Sequence, residues 1–340
     1  MAKSLNKNLR KASTAKKDEF YTQLADIENE LKHYKDHFRG KTVFCNCDDP
    51  RVSNFFHYFS HRFESLGLKK LITTCYKNQD MNLFSTHENE KAVMLEYNGD
   101  KNGDKTPNAE EIGIIELQGD GDFRSAESIE LLKQADIVVT NPPFSLFREY
   151  VAQLMEYDKK FIIIANKNSL TYKEIFSLIK ENKIWVGTTP MSTDLLFDVP
   201  QDEAEILVKT KKEGSAYKLI NGIVKGRAQA IWLTNLDHSK RHEDLDLFKT
   251  YSPEEYPKYD HYDAINVDKT KDIPGDYPGA MGVPITFLDK FNPDQFEIID
   301  GLNRYSILEG PTDETRGKYM SQVNGKPIYV RIIIKNKKLQ

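Results

Sequence analysis

The stretch DIVVTNPPFSLFREYV, residues 136–151, places a short apolar strand directly before an Asn-Pro-Pro-Phe corner. Ile137 to Val139 form a run of β-branched residues, which is typical of a strand buried in a parallel sheet. The apolar positions after the corner recur at helical spacing. The stretch therefore predicts a strand, a tight polar corner and a helix at 145–157, in the order of an α/β fold.

The first 237 residues repeat this alternation of short apolar strands with helical patterns. A helix should begin at Asp49 or Pro50, because proline at a first-turn position lacks an N–H that the helix would leave unbonded. The repetition predicts a doubly wound, parallel α/β sheet with helices on both faces, and its ligands bind beyond the carboxyl ends of the strands. The other predicted strands of this part are 42–46, 68–76, 112–117, 160–165, 183–187 and 230–236, with at most a hairpin around 92–97.

The composition limits the classes of protein to which this chain can belong. The chain has 340 residues, is 39% hydrophobic and carries a net charge of −4. This excludes a globally basic nucleic-acid binder, so any phosphate contacts must come from local patches. The three cysteines predict a reducing compartment, and no apolar run is long enough for a membrane span. We expect a soluble, cytoplasmic protein without a signal peptide.

The chain divides into three parts of different composition. Residues 1–17 are basic and contain no acid. They are either a frayed, solvated terminus or an arm that binds phosphates. Residues 18–237 carry the strand–helix alternation. Residues 238–340 are rich in tyrosine, aspartate, proline and glycine, which predicts a smaller, loop-rich region with a final hairpin at Asn324-Gly325. The segment 188–227 could belong to either of the last two parts.

The Asn-Pro-Pro-Phe corner suits the recognition of a planar amino group. The rings of Pro142 and Pro143 fix the backbone, so the Pro142 carbonyl is held rigidly, and the Asn141 side chain supplies a second carbonyl beside it. Two converging acceptors match the two hydrogens of one –NH2 group. Phe144 offers a flat face for stacking, which is worth roughly 1–3 kcal/mol for a base.

An amino group conjugated to a ring is a poor nucleophile, because its lone pair is delocalised. Acceptors that hold both hydrogens draw the nitrogen toward tetrahedral geometry and free the lone pair, which requires positioning and a preorganised field but no metal. The alternative is a purely structural Pro-Pro turn at the end of a strand. The buried strand before the corner and the helix after it favour the chemical interpretation.

The stretch DIVVTNPPFSLF resembles the catalytic motif of amino-group methyltransferases, Asp/Asn/Ser-Pro-Pro-Tyr/Phe/Trp. The chain as a whole resembles the EcoRI-type modification methyltransferases, which methylate N6 of adenine in DNA with S-adenosylmethionine. Besides the opening stretch, the blocks that carry the resemblance are KKDEFYTQLADIENEL (16–31), FCNCDDPRVSNFF (44–56), GDGDFRS (119–125), ENKIWVG (181–187), KYDHYDAINV (258–267) and GVPITFLDKFNP (282–293).

The resemblance implies two cofactor-binding elements outside the corner. Asp122 and Phe123 match the element in which an acid binds the cofactor's adenine amine and a ring packs beside it. They could instead be turn residues in a glycine-flanked loop. The second element, Phe20-Tyr21-Thr22, resembles a Phe-Tyr-Thr element that lines the methionine end of the cofactor. Its alternative is a hydrophobic staple at a helix start.

A third cofactor element is expected where FCNCDDP follows the first strand. Most methyltransferases carry a glycine-rich turn there, and this chain has no glycine. A helix N-terminus would still offer free N–H groups to a carboxylate, and an aspartate could take the cofactor's ammonium. Asn46, Asp48 and Asp49 are the candidates. The second strand shows no acid for the ribose hydroxyls, so the ribose partner stays unassigned.

The resemblance implies a Rossmann-like methyltransferase sheet with a smaller target-recognition region, acting on an adenine flipped out of duplex DNA. It implies a type II restriction–modification enzyme with a short palindromic target, GAATTC being the candidate. It also implies a monomer, because each strand is methylated separately. Sequence-specific contacts are expected in 238–340, and the candidates for phosphate contacts are Lys11, Lys16, Lys17, Lys269 and Lys271.

Two other functions remain open at this point. The same chemistry could act on an RNA adenine or on a protein glutamine amide, which the corner alone does not separate. A non-catalytic binding protein that kept the fold is the third possibility. Histidines recur four residues apart at 33/37, 57/61 and 238/242, but none of these pairs has a third ligand or an HExxH pattern. We therefore expect no metal.

Overall fold

The stretch that opens with Ile137 folds as its sequence predicts. In the computed structural model, strand Ile137–Thr140 runs into the corner, and a helix follows at Phe147–Glu156. The structure describes residues 22–47, 53–74, 92–104, 107–108, 111–199, 201–214, 216–302 and 322–339.

The described residues form short helices and strands throughout. The α-helices are α1 (Leu24–Leu31), α2 (Asn54–His61), α3 (Phe63–Leu66), α4 (Ala126–Gln134), α5 (Phe147–Glu156), α6 (Lys173–Lys180) and α7 (Gln201–Lys209). The strands are β1 (Thr42–Asn46), β2 (Lys70–Thr74), β3 (Val93–Tyr97), β4 (Ile112–Glu116), β5 (Ile137–Thr140), β6 (Lys160–Asn166), β7 (Trp185–Val186), β8 (Leu195–Asp198), β9 (Tyr217–Ile220), β10 (Ile223–Ala228), β11 (Ala230–Thr234), β12 (Ile265–Asn266), β13 (Met281–Pro284), β14 (Phe296–Leu302), β15 (Gln322–Val323), β16 (Lys326–Pro327) and β17 (Arg331–Asn336).

The chain divides into two units. Unit 1 comprises Met1–Lys167 and Thr193–Leu236, and unit 2 comprises Asn168–Ser192 and Asp237–Gln340. Within the described ranges, no helix combines the length and the apolar character needed to cross a membrane.

The central sheet of unit 1 is parallel only in its middle. Its strands lie in the order β4-β3-β2-β1-β5-β6-β11. The four strands β2, β1, β5 and β6 are parallel neighbours, whereas β3, β4 and β11 each pair antiparallel. The predicted parallel sheet is therefore present in the middle, whereas the strands at both margins are antiparallel. Parallel neighbours need a crossover, usually a helix, and none separates β3 from β4 in the described residues.

Both faces of the parallel strands are covered. Val43 and Val139 pack in one cluster with Phe59 of α2. Val138 and Ile163, whose side chains point to the opposite face, are also fully buried, and α4 and α5 pack against β1 and β6. Continuous apolar strands are the sequence signature of this two-sided burial. The coarse fold is thus a mixed α/β sheet with helices.

The helix after β1 starts later than predicted. It begins at Asn54, so the expected start at Asp49 or Pro50 is wrong. Ser53 is the N-cap, and its hydroxyl oxygen accepts a hydrogen bond from the Phe55 N–H at 3.2 Å. A serine at this position satisfies one of the unbonded N–H groups of the first turn. It is therefore as strong a signal of a helix start as the proline on which the prediction was based.

Unit 2 contains a four-stranded sheet in the order β12-β13-β17-β14. The predicted final hairpin is confirmed: β15 and β16 pair across a turn whose residues Asn324 and Gly325 both have positive φ. The Asp260 carboxylate accepts a hydrogen bond from each of their N–H groups at 2.8 Å.

A buried tyrosine occupies the space above Gly282 in β13. The Tyr259 hydroxyl donates to Asn266 Oδ1 at 2.9 Å, and burial raises the pKa of Tyr259. Arg331 also donates to this amide oxygen, at 3.2 Å. A Cβ atom on Gly282 would lie 2.2 Å from the Tyr259 hydroxyl oxygen, so the ring could stay only if the strand moved.

We therefore expect Gly282→Ala to lower the free energy of unfolding by about 1–3 kcal/mol, the usual cost of overpacking. Urea unfolding followed by circular dichroism measures the effect. Gly113→Ala in β4 is the matched control, because its Cβ would lie 3.7 Å from the nearest atom, the Glu96 carbonyl oxygen. Equal stability of the two variants would contradict the packing described here.

Candidate active site

The Asn-Pro-Pro-Phe corner lies at the carboxyl end of β5. Asn141 and Pro142 are buried, while Pro143 and Phe144 are half-buried. The Pro143 carbonyl accepts a hydrogen bond from Leu146 N–H at 3.1 Å, which closes a 3-10 turn before α5. The corner is thus held between a buried strand and a helix.

Strand β1 brings Asn46 beside the corner. Strands β1 and β5 are parallel neighbours in which Phe44 pairs with Val138, so Asn46 and Thr140 lie at the same level. The buried Thr140 hydroxyl donates to the Asn46 carbonyl oxygen. The last residue of each strand is therefore joined to the other, immediately before Asn141.

The backbone turns after Asn46 without a glycine. Cys47 takes φ +81°, a conformation that glycine adopts freely and that other residues adopt at a cost of about 1–3 kcal/mol. This explains how FCNCDDP can occupy the position of a glycine-rich turn. The next predicted cofactor residues, Asp48 and Asp49, lie outside the described residues.

A tyrosine of α5 links two of the predicted cofactor elements. The fully buried Tyr150 donates its hydroxyl proton to Asn46 Oδ1 at 2.5 Å, and its ring meets Phe123 edge to face with centroids 5.0 Å apart. Burial raises the pKa of Tyr150, so its hydroxyl stays a donor. The sequence interpretation missed this residue. The available signal was a tyrosine on the inward face of a helix, since a buried hydroxyl needs a partner.

Asp122 and Phe123 follow β4 at the same edge of the sheet. Arg124 Nε and Nη2 donate to the two Asp122 carboxylate oxygens at 2.9 and 2.7 Å, and the side-chain hydrogen bond from Arg124 is the main cause that lowers the pKa of Asp122. Asp120 and Asp122 each also accept a local N–H, as turn residues do. Phe123 is buried, and its carbonyl accepts from Gln153 of α5 at 3.1 Å.

Thr22 is the described member of the Phe-Tyr-Thr element. It forms an isolated bridge with Phe197, and its carbonyl accepts from Asn54 Nδ2 at 2.8 Å, next to the start of α2. The Thr22 hydroxyl is buried and has no hydrogen-bond partner among the described residues. The same is true of the Thr74 hydroxyl. Thr74 pairs with Asn46 at the carboxyl end of β2. Phe20 and Tyr21 lie outside them.

The structure thus brings the described candidates of unit 1 to one edge: Thr22, Asn46, Asp122, Phe123 and the corner Asn141, Pro142, Pro143 and Phe144. Lys269 and Lys271 are exposed in unit 2, beside the 3-10 turn Thr270–Asp272. Lys11, Lys16 and Lys17 lie outside the described residues.

No three His, Cys, Asp or Glu side chains in the described ranges are grouped so that they could hold a metal ion. Within one histidine pair, His61 Nδ1 lies 2.9 Å from the His57 carbonyl oxygen. The expectation of metal-free chemistry stays a prediction.

Comparison with known proteins fits this geometry. The family described as adenine-specific methyltransferase EcoRI matches residues 8–337. This chain belongs to that family. It is 53% identical to the type II methyltransferase M.EcoRI of Escherichia coli, over 98% of both chains. It is 39% identical to M.MgeORF184P of Mycoplasma genitalium, over 97% of this chain and 98% of the relative.

A further relative is the type II methyltransferase M.MpnI of Mycoplasma pneumoniae, 39% identical over 96% of this chain and 97% of the relative. No solved structure gives a significant match. Membership of the family implies the use of S-adenosylmethionine. The two buried threonine hydroxyls at the carboxyl edge fit a polar ligand there, because buried hydroxyls are normally hydrogen-bonded.

We expect Tyr150→Phe to weaken S-adenosylmethionine binding about 2- to 10-fold, the equivalent of one hydrogen bond of about 0.5–1.5 kcal/mol. The reason is that Asn46 loses the donor that fixes its side chain. Isothermal calorimetry measures the dissociation constant.

Tyr256→Phe is the matched control, because it also removes a tyrosine hydroxyl bonded at 2.8 Å, to the Asp272 carbonyl in unit 2. If both variants bound the cofactor as the unaltered chain does, Tyr150 would have no part in arranging the site.

Proposed function

We propose that this chain transfers a methyl group from S-adenosylmethionine to N6 of an adenine flipped out of duplex DNA, as the modification enzyme of a type II restriction–modification system. Unit 1 is then a Rossmann-like methyltransferase sheet, and residues 238–340 hold the target-recognition region. The observation that carries the proposal is the corner Asn141–Phe144 at the carboxyl end of β5, beside Asn46. The family membership adds the adenine specificity.

The corner acts through its own carbonyl groups. Asn141 Oδ1 and the Pro142 carbonyl accept the two hydrogens of the adenine amine, while Phe144 stacks on the base. These acceptors are fixed before the substrate arrives, because Pro142 and Pro143 restrict the backbone and α5 packs behind them. When bound, the cofactor supplies an electrophilic methyl on sulfur. As positive charge develops on the amine nitrogen, the two carbonyl dipoles stabilise it.

The cofactor roles are proposed for residues around this corner. Thr22, Asn46 and Phe123 line the same edge of the sheet, and Asp122 is ionised, so it can accept a hydrogen bond from an amine. Arg124 donates twice to Asp122 Oδ1, from its backbone N–H and from Nε, but only once to Oδ2, which keeps a lone pair for the amine. The Thr74 hydroxyl lies at the end of β2, where an acid that binds the ribose hydroxyls was expected and is lacking. We assign this hydroxyl to the ribose. Phe20, Tyr21, Asp48 and Asp49 retain the roles that the resemblance implies.

Duplex DNA is the proposed substrate, with GAATTC as the candidate target and a monomer as the acting species. Extruding a base costs a few kcal/mol, which sequence-specific contacts must offset. The exposed lysines Lys269 and Lys271 and the basic segment 1–17 can reach phosphates locally although the chain is acidic overall. All three relatives carry the name type II methyltransferase.

Incubation with methyl-labelled S-adenosylmethionine tests the substrate class. We expect label in a GAATTC duplex, in the inner adenine, and none in a duplex in which that adenine is replaced by guanine. Transfer only to RNA adenine or to a glutamine amide would replace the proposal, and failure to bind S-adenosylmethionine would favour a non-catalytic binding protein.

Asn141→Ala tests the role of the corner. We expect methyl transfer to fall at least 100-fold, because one of the two amine acceptors is lost, while the dissociation constant for S-adenosylmethionine changes less than about 3-fold. Single-turnover kinetics and calorimetry give the two numbers. Asn29→Ala, on the exposed side of α1, is the control. Near-normal turnover by the Asn141 variant would reject its assigned role.

A further inference from the structure

An antiparallel hairpin projects from the same edge of the sheet as the corner. Strands β9 and β10 pair around Asn221 and Gly222, which both have positive φ, and β8 pairs with β10 on the other side. The backbone angles and the Asn-Gly sequence are those of a tight two-residue hairpin turn.

The hairpin begins and ends near the proposed active site. β11 follows β10 after one residue, and Ala230 of β11 pairs with Asn166 at the carboxyl end of β6. The Lys167 N–H donates to the Gln229 carbonyl at 2.7 Å. β6 lies between β5 and β11, so the root of the hairpin is two strand spacings, about 10 Å, from the strand that carries Asn141.

The segment is strongly basic in a chain of net charge −4. Between residues 209 and 227 it holds six cations and one acid, Glu213. The cations are Lys209, Lys211, Lys212, Lys218, Lys225 and Arg227. Lys218 and Arg227 share the Asp194 carboxylate at 2.5 Å each, and Lys225 lies opposite Asp198 of β8, so the positive excess of the segment lies ahead of β9, at Lys209 and Lys211.

One face of the hairpin combines charge with apolar surface. Lys218 is directly opposite Lys225, and Ile220 is directly opposite Ile223, and alternation places these four side chains on the same face. Ile220 and Ile223 flank the turn with 42% and 60% of their surface exposed. Exposure of this size leaves both isoleucines outside the buried core of the unit.

We propose that the β9–β10 hairpin is a DNA-contacting arm that lies in the major groove beside the flipped adenine. The major groove admits a two-stranded ribbon of this kind, and apolar side chains contact thymine methyl groups there. Lys209 and Lys211, ahead of β9, bind phosphates, and Ile220 and Ile223 at the tip contact base edges. This inference rests on the proposed function, because it names a further surface for the same substrate.

The charge variant Lys209→Gln/Lys211→Gln tests the phosphate contacts, because both lysines are exposed. Fluorescence anisotropy with a GAATTC duplex gives the affinity of the full chain as salt rises from about 50 to 200 mM. We expect the slope of log affinity against log salt to become shallower by about 2, since each phosphate contact contributes about 0.9. Lys69→Gln/Lys160→Gln, at the amino ends of β2 and β6, is the matched control and should keep the slope.

The tip variant Ile220→Ser/Ile223→Ser tests the base contacts. We expect affinity for the GAATTC duplex to fall about 10-fold, with the salt slope and the affinity for an unrelated duplex unchanged. Ile114→Ser is the control, because Ile114 is 67% exposed on β4, outside the hairpin. Calorimetry with S-adenosylmethionine verifies that each variant is folded.

The outcomes separate the two proposals. If the unaltered chain methylates duplex DNA but both hairpin variants bind it as their controls do, the arm is rejected and the proposed function stands. If the isoleucine variant changes only the sedimentation of the free protein, the hairpin is an interface between copies, and the arm is again rejected. A chain that binds no duplex at all rejects both proposals.

Discussion

The hydrogen bond from Tyr150 to Asn46 is the interaction on which the arrangement of the site depends. It joins the helix behind the Asn-Pro-Pro-Phe corner to the neighbouring strand, and the same ring packs on Phe123. Three chain segments far apart in sequence are thus held by one side chain. Because Tyr150 is fully buried, water does not compete for the bond. The geometry of the corner is therefore coupled to that of the elements proposed to bind the cofactor.

Much of this could be predicted from local signals. The predicted bounds of β1 agree with the observed ones, because a short apolar run at 43–45 stands between polar residues. The hairpin at Asn324-Gly325 followed from turn chemistry alone. The candidate residues at the carboxyl edge followed from the rule that ligands of such sheets bind there, together with the resemblance to the family.

What could not be predicted depended on contacts between distant residues. The direction of β3, β4 and β11 is set by the strands they pair with. The sequence pattern of an apolar strand is the same whether the strand pairs parallel or antiparallel. Cys47 at positive φ contradicts its own local preference and is stabilised only by the surrounding structure. The predicted start of α2 rested on Pro50, whereas the observed start follows from the cap at Ser53.

The pairing of Asn166 with Ala230 has an evolutionary consequence. Strands β8, β9 and β10, which precede Ala230, pair in a three-stranded sheet of their own, so their length and composition can change without shifting a hydrogen bond of the central sheet. Loop closure adds only about 0.6 kcal/mol per doubling of length. The segment before Ala230 can therefore change in sequence and length while the residues proposed for methyl transfer stay the same. This would allow related chains to recognise new targets.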